Sequence, residues 1–243
     1  MRDTTIGHQK ISALLLMALL AGCGGGGGAV GGTASNTAAP TAASDPVSYT
    51  NAVLGPGYQT DLDTLVGDPF DGTTGTPNSA FKAIPTSGTA TYAGFALIGI
   101  NRANTLPGAP RLTIEGTSTL AADFGAGSIT GSATNFVGEP TGDQNTTTGK
   151  FPALAAPTYF PGTISMTGCI GTQNGCSATR PNQVAVTYTG QLSNGTYAVS
   201  TSGSTTGDFK GTPIKGIAIT DGGATYIVNG TAEPGVLAVL AKP

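Results

Sequence analysis

The chain has 243 residues, a formal net charge of −3 and only 9% charged residues, against about 25% in a typical soluble domain. Glycine occurs 39 times, and strong helix formers such as Glu, Lys and Arg are scarce. This composition disfavours a helical protein and favours strands rich in Thr and Val. It also argues against nucleic-acid binding, because the sequence has no basic cluster.

The N-terminus has the features of a secretory signal peptide. Arg2 and Lys10 make it cationic, and residues 11–20 form an apolar run that is too short to span a bilayer, which takes ~20 residues. Leu-Ala-Gly-Cys at residues 20–23 resembles the bacterial lipobox, which implies that residues 1–22 are removed and that the thiol of Cys23 is acylated. The alternative is an ordinary signal peptide followed by an unmodified cysteine.

A flexible tether is predicted after the lipobox. Gly24 stands where inner-membrane lipoproteins favour Asp, so the lipobox resemblance implies an outer-membrane anchor. Residues 24–28 are all glycine, and the sequence stays small and polar to about Asp45. Residues 23–45 are therefore expected to be a lipidated, disordered tether that places the folded domain ~25 Å from the bilayer.

Residues 46–87 contain apolar side chains without a sustained period. We expect an irregular segment that packs on the outside or the open end of the domain that follows. Four aspartates lie close together in it: Asp61, Asp63, Asp68 and Asp71. A calcium loop would use such carboxylates, but the EF-hand spacing and its closing Glu are missing. We expect these aspartates to be solvated or to cap turns.

Residues 88–243 show the alternation of apolar and polar side chains that is typical of strands with one buried face. The clearest case is a predicted hairpin over residues 112–136, with two glycines in residues 125–127 for its turn. Its apolar face carries Leu112, Ile114, Leu120, Ala122 and Phe124, and its polar face carries Thr113, Glu115, Thr117, Thr119 and Asp123.

Further strands are predicted at residues 88–100, 160–168, 182–190, 196–201, 207–220, 225–229 and 236–240. Pro213 marks an edge, a bulge or a strand start. Eight or nine strands with hairpin-length connections predict an all-β fold. We expect a small eight-stranded antiparallel up-and-down barrel, preceded by the disordered tether.

Cys169 and Cys176 flank a short loop that contains two glycines. In an exported chain this pair is expected to be oxidised, with a contribution to stability of up to ~2–3 kcal/mol. The alternative, a Cys-only metal site, would need two further ligands. We therefore predict a structural disulfide and no metal site.

The mature chain is predicted to contain no histidine, because His8 lies in the signal peptide. This argues against Ser-His-Asp or Cys-His nucleophiles and against histidine-ligated zinc, copper or haem. A carboxylate pair could still perform glycosidase chemistry, but the remaining acids form no recognisable motif: Glu115, Asp123, Glu139, Asp143, Asp208, Asp221 and Glu233. We predict no enzyme activity, no catalytic residue and no cofactor.

Four motifs resemble, in the same order, the β-barrel domain of transferrin-binding protein B. They are GTATYAG at 88–94, the L-x-x-D-F-G-x-x-x-I-x-G pattern at 120–131, GDFKG at 207–211 and VNG at 228–230. The resemblance implies a surface lipoprotein with an eight-stranded barrel at residues 88–243 that binds through exposed loops. The family has two lobes, whereas this chain has room for one barrel. Ala-Thr-Tyr-Ile at 224–227 replaces the family's Phe-Tyr-Gly, and no binding residue carries over.

The function expected from these features is that of a binding module, lipid-anchored in the bacterial outer membrane at the cell surface. Its ligand would be a protein or a metal-carrying or solute ligand, and an outer-membrane transporter is a candidate partner. Residues 137–157 and the 169–176 loop are the candidate contact surfaces, because loops on a rigid scaffold usually carry recognition. The alternatives are a lipocalin-like carrier of a small ligand, a structural envelope lipoprotein and an integral outer-membrane barrel.

Overall fold

The computed structural model of the chain describes residues 17–18, 39–68, 73–101, 111–142, 150–151, 154–172 and 176–243. The predicted lipidation site, Cys23, lies outside the described residues, as do Asp71 and Asp143.

Eight long antiparallel strands in the described ranges form a closed barrel. They are β1 (Thr89–Ile100), β2 (Arg111–Asp123), β3 (Ser128–Thr141), β4 (Gly162–Ile170), β5 (Gln183–Ser193), β6 (Ala198–Lys210), β7 (Gly216–Val228) and β8 (Thr231–Lys242). Each strand pairs with the next in the chain, and β8 pairs with β1. The predicted antiparallel up-and-down barrel is therefore confirmed.

Three further pairings in the described ranges involve short strands. Thr158–Phe160 precedes β4 and pairs with residues 136–138 of β3. Gly67–Asp68 pairs with Thr73–Thr74, and Met17–Ala18 pairs with Lys150–Phe151. Residues 17–18 belong to the segment that signal-peptide cleavage is predicted to remove.

The strands differ from the predicted ones between residues 196 and 229. The sequence predicts separate strands at 196–201 and 207–220, but β6 runs unbroken through residues 198–210, and Pro213 lies in the turn that follows. The reason is that the Ser-Thr-Gly stretch inside β6 has no apolar alternation to signal a strand. The β6–β7 ladder is interrupted between the Thr201–Tyr226 and Gly207–Ile219 pairs.

Residues 46–65 form consecutive helical segments, which corrects the expectation of an irregular segment. The segments are α1 (Pro46–Tyr49), a π-helical turn (Thr50–Leu54) and α2 (Gly55–Leu65). Asp45 caps α1 by accepting a hydrogen bond from the backbone N–H of Ser48 at 3.0 Å. The sequence concealed this helix because the Gly-Pro-Gly at 55–57 is typical of a turn. After α2, the described part of this segment contains the pairing of Gly67–Asp68 with Thr73–Thr74, a bridge between Asn78 and Lys210, and a short 3₁₀ turn, Phe81–Ala83.

The last part of the predicted tether is also folded. Ala42 is buried, and the side chains of Thr41 and Ser44 hydrogen-bond each other at 2.8 Å. Ala42 packs in a cluster with Tyr49, Leu54, Val137 and Leu154, so residue 42 of the predicted tether already contacts the folded domain.

One cluster of buried apolar side chains fills the barrel interior. Its largest members are aromatic: Tyr92, Phe136, Phe160, Phe209 and Tyr226. The Phe209 ring lies 5.7 Å from that of Phe124 and 6.4 Å from that of Tyr92. An eight-stranded barrel is narrow enough for side chains to fill it, and here the interior is a packed core.

The helix packs on the outer wall of the barrel. Tyr58, Leu62 and Leu65 of α2 contact Leu97 of β1, Ala218 of β7 and Leu240 of β8, all of which point away from the barrel core. This contact buries apolar side chains on wall positions that would otherwise face solvent. Packing on the outside of the barrel agrees with the expected placement of this segment.

The two ends of the barrel carry different connections. The β1–β2, β3–β4, β5–β6 and β7–β8 connections lie at one end, which we call the proximal end because residues 39–45 join the barrel near it. The β2–β3, β4–β5 and β6–β7 connections lie at the opposite, distal end. Leu65 reaches the start of β7 at Gly216, so the helix crosses the wall from the proximal to the distal end.

Candidate functional site

The two predicted contact surfaces lie at opposite ends of the barrel. The first surface, residues 137–157, begins in the last part of β3 at the proximal end, whereas the second, residues 169–176, begins at the last residues of β4 at the distal end. A strand of this length separates them, so one small ligand cannot contact both. The two surfaces must be considered separately.

The described part of the proximal surface is held in place. Residues 137–141 belong to β3 rather than to a loop. Glu139 then accepts hydrogen bonds from the backbone N–H groups of Ala155 and of Ala156, the latter at 2.8 Å. Leu154 is buried beside Val137. These contacts fix the segment that leads into β4, and they have a structural role.

The distal surface contains the predicted disulfide. Cys169 and Cys176 are bonded, with their Cα atoms 5.6 Å apart, which confirms the pairing expected from the sequence. The bond joins the end of β4 to the segment that leads into β5. Ala178, just after the bond, is buried, so this side of the connection is fixed to the barrel.

A short segment around Ser79 closes the distal end. The Ser79 backbone N–H donates to the carbonyl of Phe209 at 2.8 Å, and its hydroxyl donates to the carbonyl of Gly211 at 2.5 Å. The Asn182 amide donates to the Ser79 carbonyl at 2.7 Å. Ser79 is buried, and its contacts join the β4–β5 connection to the β6–β7 turn.

A cleft of about 180 Å³ opens beside this closure, and we call it the distal cleft. Its apolar lining consists of Phe81, Ile84, Pro85, Phe124, Ile170 and Pro181. Phe81 is 56% exposed, more than any other large apolar side chain in the described ranges. The cleft is smaller than the ~300–1,000 Å³ of pockets for small-molecule ligands. It therefore suits one apolar side chain of a partner better than a free ligand.

The outer wall of β3–β6 is a surface of hydroxyl groups, which we call the hydroxyl face. It consists of Ser128, Thr130, Ser132, Thr134, Thr163, Ser165, Thr167, Thr187, Thr189, Ser200, Ser202, Ser204 and Thr206, which register places on outward positions. Across the β4–β5 ladder, the hydroxyls of Thr167 and Thr187 lie 3.2 Å apart. The face is polar and uncharged, as suits contact with water.

Two carboxyl groups are buried between the helix and the barrel wall, one from each side. Asp61 of α2 is ion-paired with Lys242 of β8 at 2.5 Å. Burial raises the pKa of Asp61, and the Lys242 ammonium opposes that shift. Glu115 of β2 is 3% exposed, and burial raises its pKa to about 7. The pKa of Tyr58, on the covering helix, is also raised by burial and further by the charge of Glu115.

The sequence did not reveal this buried pair. Asp61 was expected to be solvated or to cap a turn, and the ion pair beneath the helix corrects this expectation. Asp63 fits the expectation better, because it accepts a hydrogen bond from the Gln59 side chain at 2.6 Å near the surface of the helix. The alternation correctly placed Glu115 on the outer face of its strand, but nothing in it signals that a helix covers that position.

The described residues include no group of three His, Cys, Asp or Glu side chains placed to hold a metal ion. Among the described helices, none has the length and apolar character needed to cross a bilayer. Comparisons with known protein-family models and with curated proteins found no match. The distal cleft is therefore proposed as a site on its geometry and chemistry.

Proposed function

We propose that this protein is a lipid-anchored, cell-surface binding module that docks a protein partner at the distal cleft. In this proposal the acylated Cys23 anchors the chain in the outer membrane, and the barrel presents the cleft to the outside. The observation that carries the proposal is the packed interior: the apolar cluster that fills the barrel leaves ligand binding to the outer surface. The same observation weighs against the lipocalin-like carrier.

The position of the cleft supports this proposal. Residues 39–45, the last part of the predicted tether, join the barrel near the proximal end, whereas the cleft is at the distal end. A 13-residue strand such as β2 rises ~3.3 Å per residue and tilts ~40° in a barrel, so the two ends lie ~30 Å apart. An anchored barrel can therefore present the distal cleft on the side away from its attachment point.

The hydroxyl face supports a tethered barrel rather than one embedded in lipid. A barrel that crosses the outer membrane carries a band of apolar side chains about 25 Å tall on its outer surface. The hydroxyl face places Ser and Thr at outward positions on four neighbouring strands here. The apolar wall positions around Leu97 and Leu240 are covered by the helix. The polar part of the outer wall can therefore face water, and the helix covers the apolar part.

The resemblance to the transferrin-binding protein B barrel supports the same proposal, because proteins of that class are surface lipoproteins. Its motifs fall on β1, on the β2–β3 hairpin, at the end of β6 and at the end of β7. We propose membership of that class of surface lipoproteins, with an outer-membrane transporter as a candidate partner. The ligand is a protein with an exposed apolar side chain, for which the distal cleft supplies a matching apolar site.

Site-specific photo-crosslinking on intact cells tests the proposal. A photoreactive phenylalanine analogue replaces Phe81 in the cleft, and in a matched variant it replaces Ser165 on the hydroxyl face, which is also exposed. The expected result is a defined protein adduct from position 81 and none from position 165. Equal adducts from both positions, or none from position 81, would contradict docking at the distal cleft.

A further inference from the structure

Glu115 occupies an unusual position on the barrel wall. Its side chain points outward from β2, between Leu97 on β1 and Val137 on β3, its partners across the two ladders. Both neighbours are buried apolar residues, and Glu115 is itself only 3% exposed. The cause of this burial is the helix of residues 46–65, which packs over this part of the wall.

One carboxyl oxygen of Glu115 is buried without a hydrogen-bond partner in the described part of the chain. This atom is Oε2, and the buried hydroxyl of Tyr58 on the helix above it likewise has no partner among the described residues. The charge of Glu115 raises the pKa of Tyr58, but the Tyr58 hydroxyl is not hydrogen-bonded to Glu115. A buried carboxylate without a partner is unstable compared with its neutral form.

The other charged groups near the helix are engaged elsewhere or are distant along the strands. On the helix, Asp61 is paired with Lys242. On β3, Glu139 accepts hydrogen bonds from the backbone of residues 155 and 156. On β2 itself, the nearest basic residue on the same face is Arg111, four positions away. Burial is the sole cause that shifts the titration of Glu115.

We propose that Glu115 is a pH-sensitive latch for the helix: neutral Glu115 lets residues 46–65 lie on the wall, and ionised Glu115 drives them off. Release would expose the apolar wall patch formed by Leu97, Ala218 and Leu240, which the helix covers. It would also lengthen the connection between the predicted tether and the barrel. This inference does not depend on the proposed binding role, because it concerns only the packing of the helix.

The direction of the pH dependence follows from linkage. With the helix docked, Glu115 has a pKa of about 7, whereas the ordinary pKa of a Glu side chain in water is about 4.5. The docked state therefore binds more protons between these values, and its advantage falls as pH rises from about 4.5 to about 7. Above about pH 8 no further loss is expected. The docking equilibrium should fall by at most a few hundredfold, because each pKa unit is a factor of ten.

Hydrogen exchange of the full chain in detergent, measured from pH 5 to pH 8.5 and corrected for intrinsic rates, tests the latch. Protection of residues 46–65 should fall by about ten- to sixtyfold between pH 5 and pH 7.5, while that of β5 stays constant. Glu115→Gln should remove this dependence. Asp63→Asn, which neutralises a carboxylate of the same helix outside the buried site, should retain it.

Two outcomes would overturn the latch: pH-independent protection of residues 46–65 in the wild type, or a Glu115→Gln variant with an unchanged dependence. If Glu115→Gln does not fold, the carboxyl carbon of Glu115 can be titrated by NMR in the wild-type chain. A midpoint close to 7 is expected. A midpoint near 4.5 with the helix still protected would also contradict the proposal.

Discussion

The Asp61 carboxylate on α2 lies 2.5 Å from the Lys242 ammonium at the end of β8. β8 is the strand that closes the barrel by pairing with β1, so this ion pair joins the helix to the seam of the barrel. Asp61 is buried, while the Lys242 side chain is 36% exposed. Solvent therefore partly screens the pair. Loss of the Lys242 charge would leave the buried Asp61 carboxylate without its ion-pair partner.

Removing the Asp61 charge should loosen the helix without unfolding the barrel. Asp61→Asn is expected to lower the free energy of unfolding by about 1–2 kcal/mol, above a surface pair and below a fully buried one. Denaturant unfolding followed by circular dichroism measures the change. Asp63→Asn on the same helix is the control, with an expected change below about 0.5 kcal/mol. Equal effects of the two variants would contradict the stabilising role of the Asp61–Lys242 pair.

Gly57 makes the notch in α2 into which the Phe95 ring fits. A Cβ atom at position 57 would clash with the Cζ atom of the Phe95 ring. Gly57→Ala should therefore destabilise the protein by about 1–3 kcal/mol, although Ala favours a helix over Gly by about 1 kcal/mol. The stability of the Gly57→Ala/Phe95→Leu double variant tests this cause. It should exceed that expected from adding the two single changes, and strict additivity would show that the two residues are not coupled.

Tyr188 bridges the interruption between β6 and β7. Its hydroxyl donates a 2.7 Å hydrogen bond to the Asp221 carboxylate, and its ring lies over Gly203 on β6, where a side chain would clash with it. Tyr188→Phe should cost about 1.5–3 kcal/mol, as is typical for a lost bond to a charged group. Thermal unfolding measures the cost.

Asp221→Asn provides the comparison for Tyr188→Phe. The amide oxygen of Asn can still accept the hydrogen bond from Tyr188, so this variant should cost less. A Tyr188→Phe variant as stable as the wild type would show that the bridge does not hold the wall together at this point.

The disulfide should stabilise the distal end only modestly. The bond closes a short loop, with a sequence separation of 7 between Cys169 and Cys176, for which loop-entropy scaling gives at most ~2–3 kcal/mol. Cys169→Ser/Cys176→Ser is expected to lower Tm while leaving the strand signal in circular dichroism intact. Complete loss of the barrel in this variant would show that the bond is required for folding.

Much of the barrel could be predicted from the sequence because its strands bury one face. The alternation from Leu112 to Phe124 placed the apolar side chains in the core, and the glycines at 125–127 marked the turn that joins β2 to β3. The disulfide between Cys169 and Cys176 could be predicted because a short loop with two glycines separates the two residues. These features are local, and local patterns are what a sequence displays most directly.

The helix and its buried acids could not be predicted in this way. Gly55, Pro56 and Gly57 resemble a turn, but in the structure Gly55 begins α2, Pro56 lies in its first turn and Gly57 contacts the Phe95 ring. Burial of Glu115 depends on a segment that lies about fifty residues earlier in the chain, and strand alternation carries no information on such a contact. The cleft around Phe81 likewise assembles from four separate segments.

Protease treatment of intact cells tests the central claim, that an anchored barrel faces outward to bind a partner. Cells expressing the wild-type chain should lose the folded barrel to added protease, whereas the Cys23→Ser variant should be absent from the cell-associated fraction. Protection of the wild-type barrel until the outer membrane is opened would contradict the surface-binding account. It would favour a carrier or structural protein of the periplasm instead.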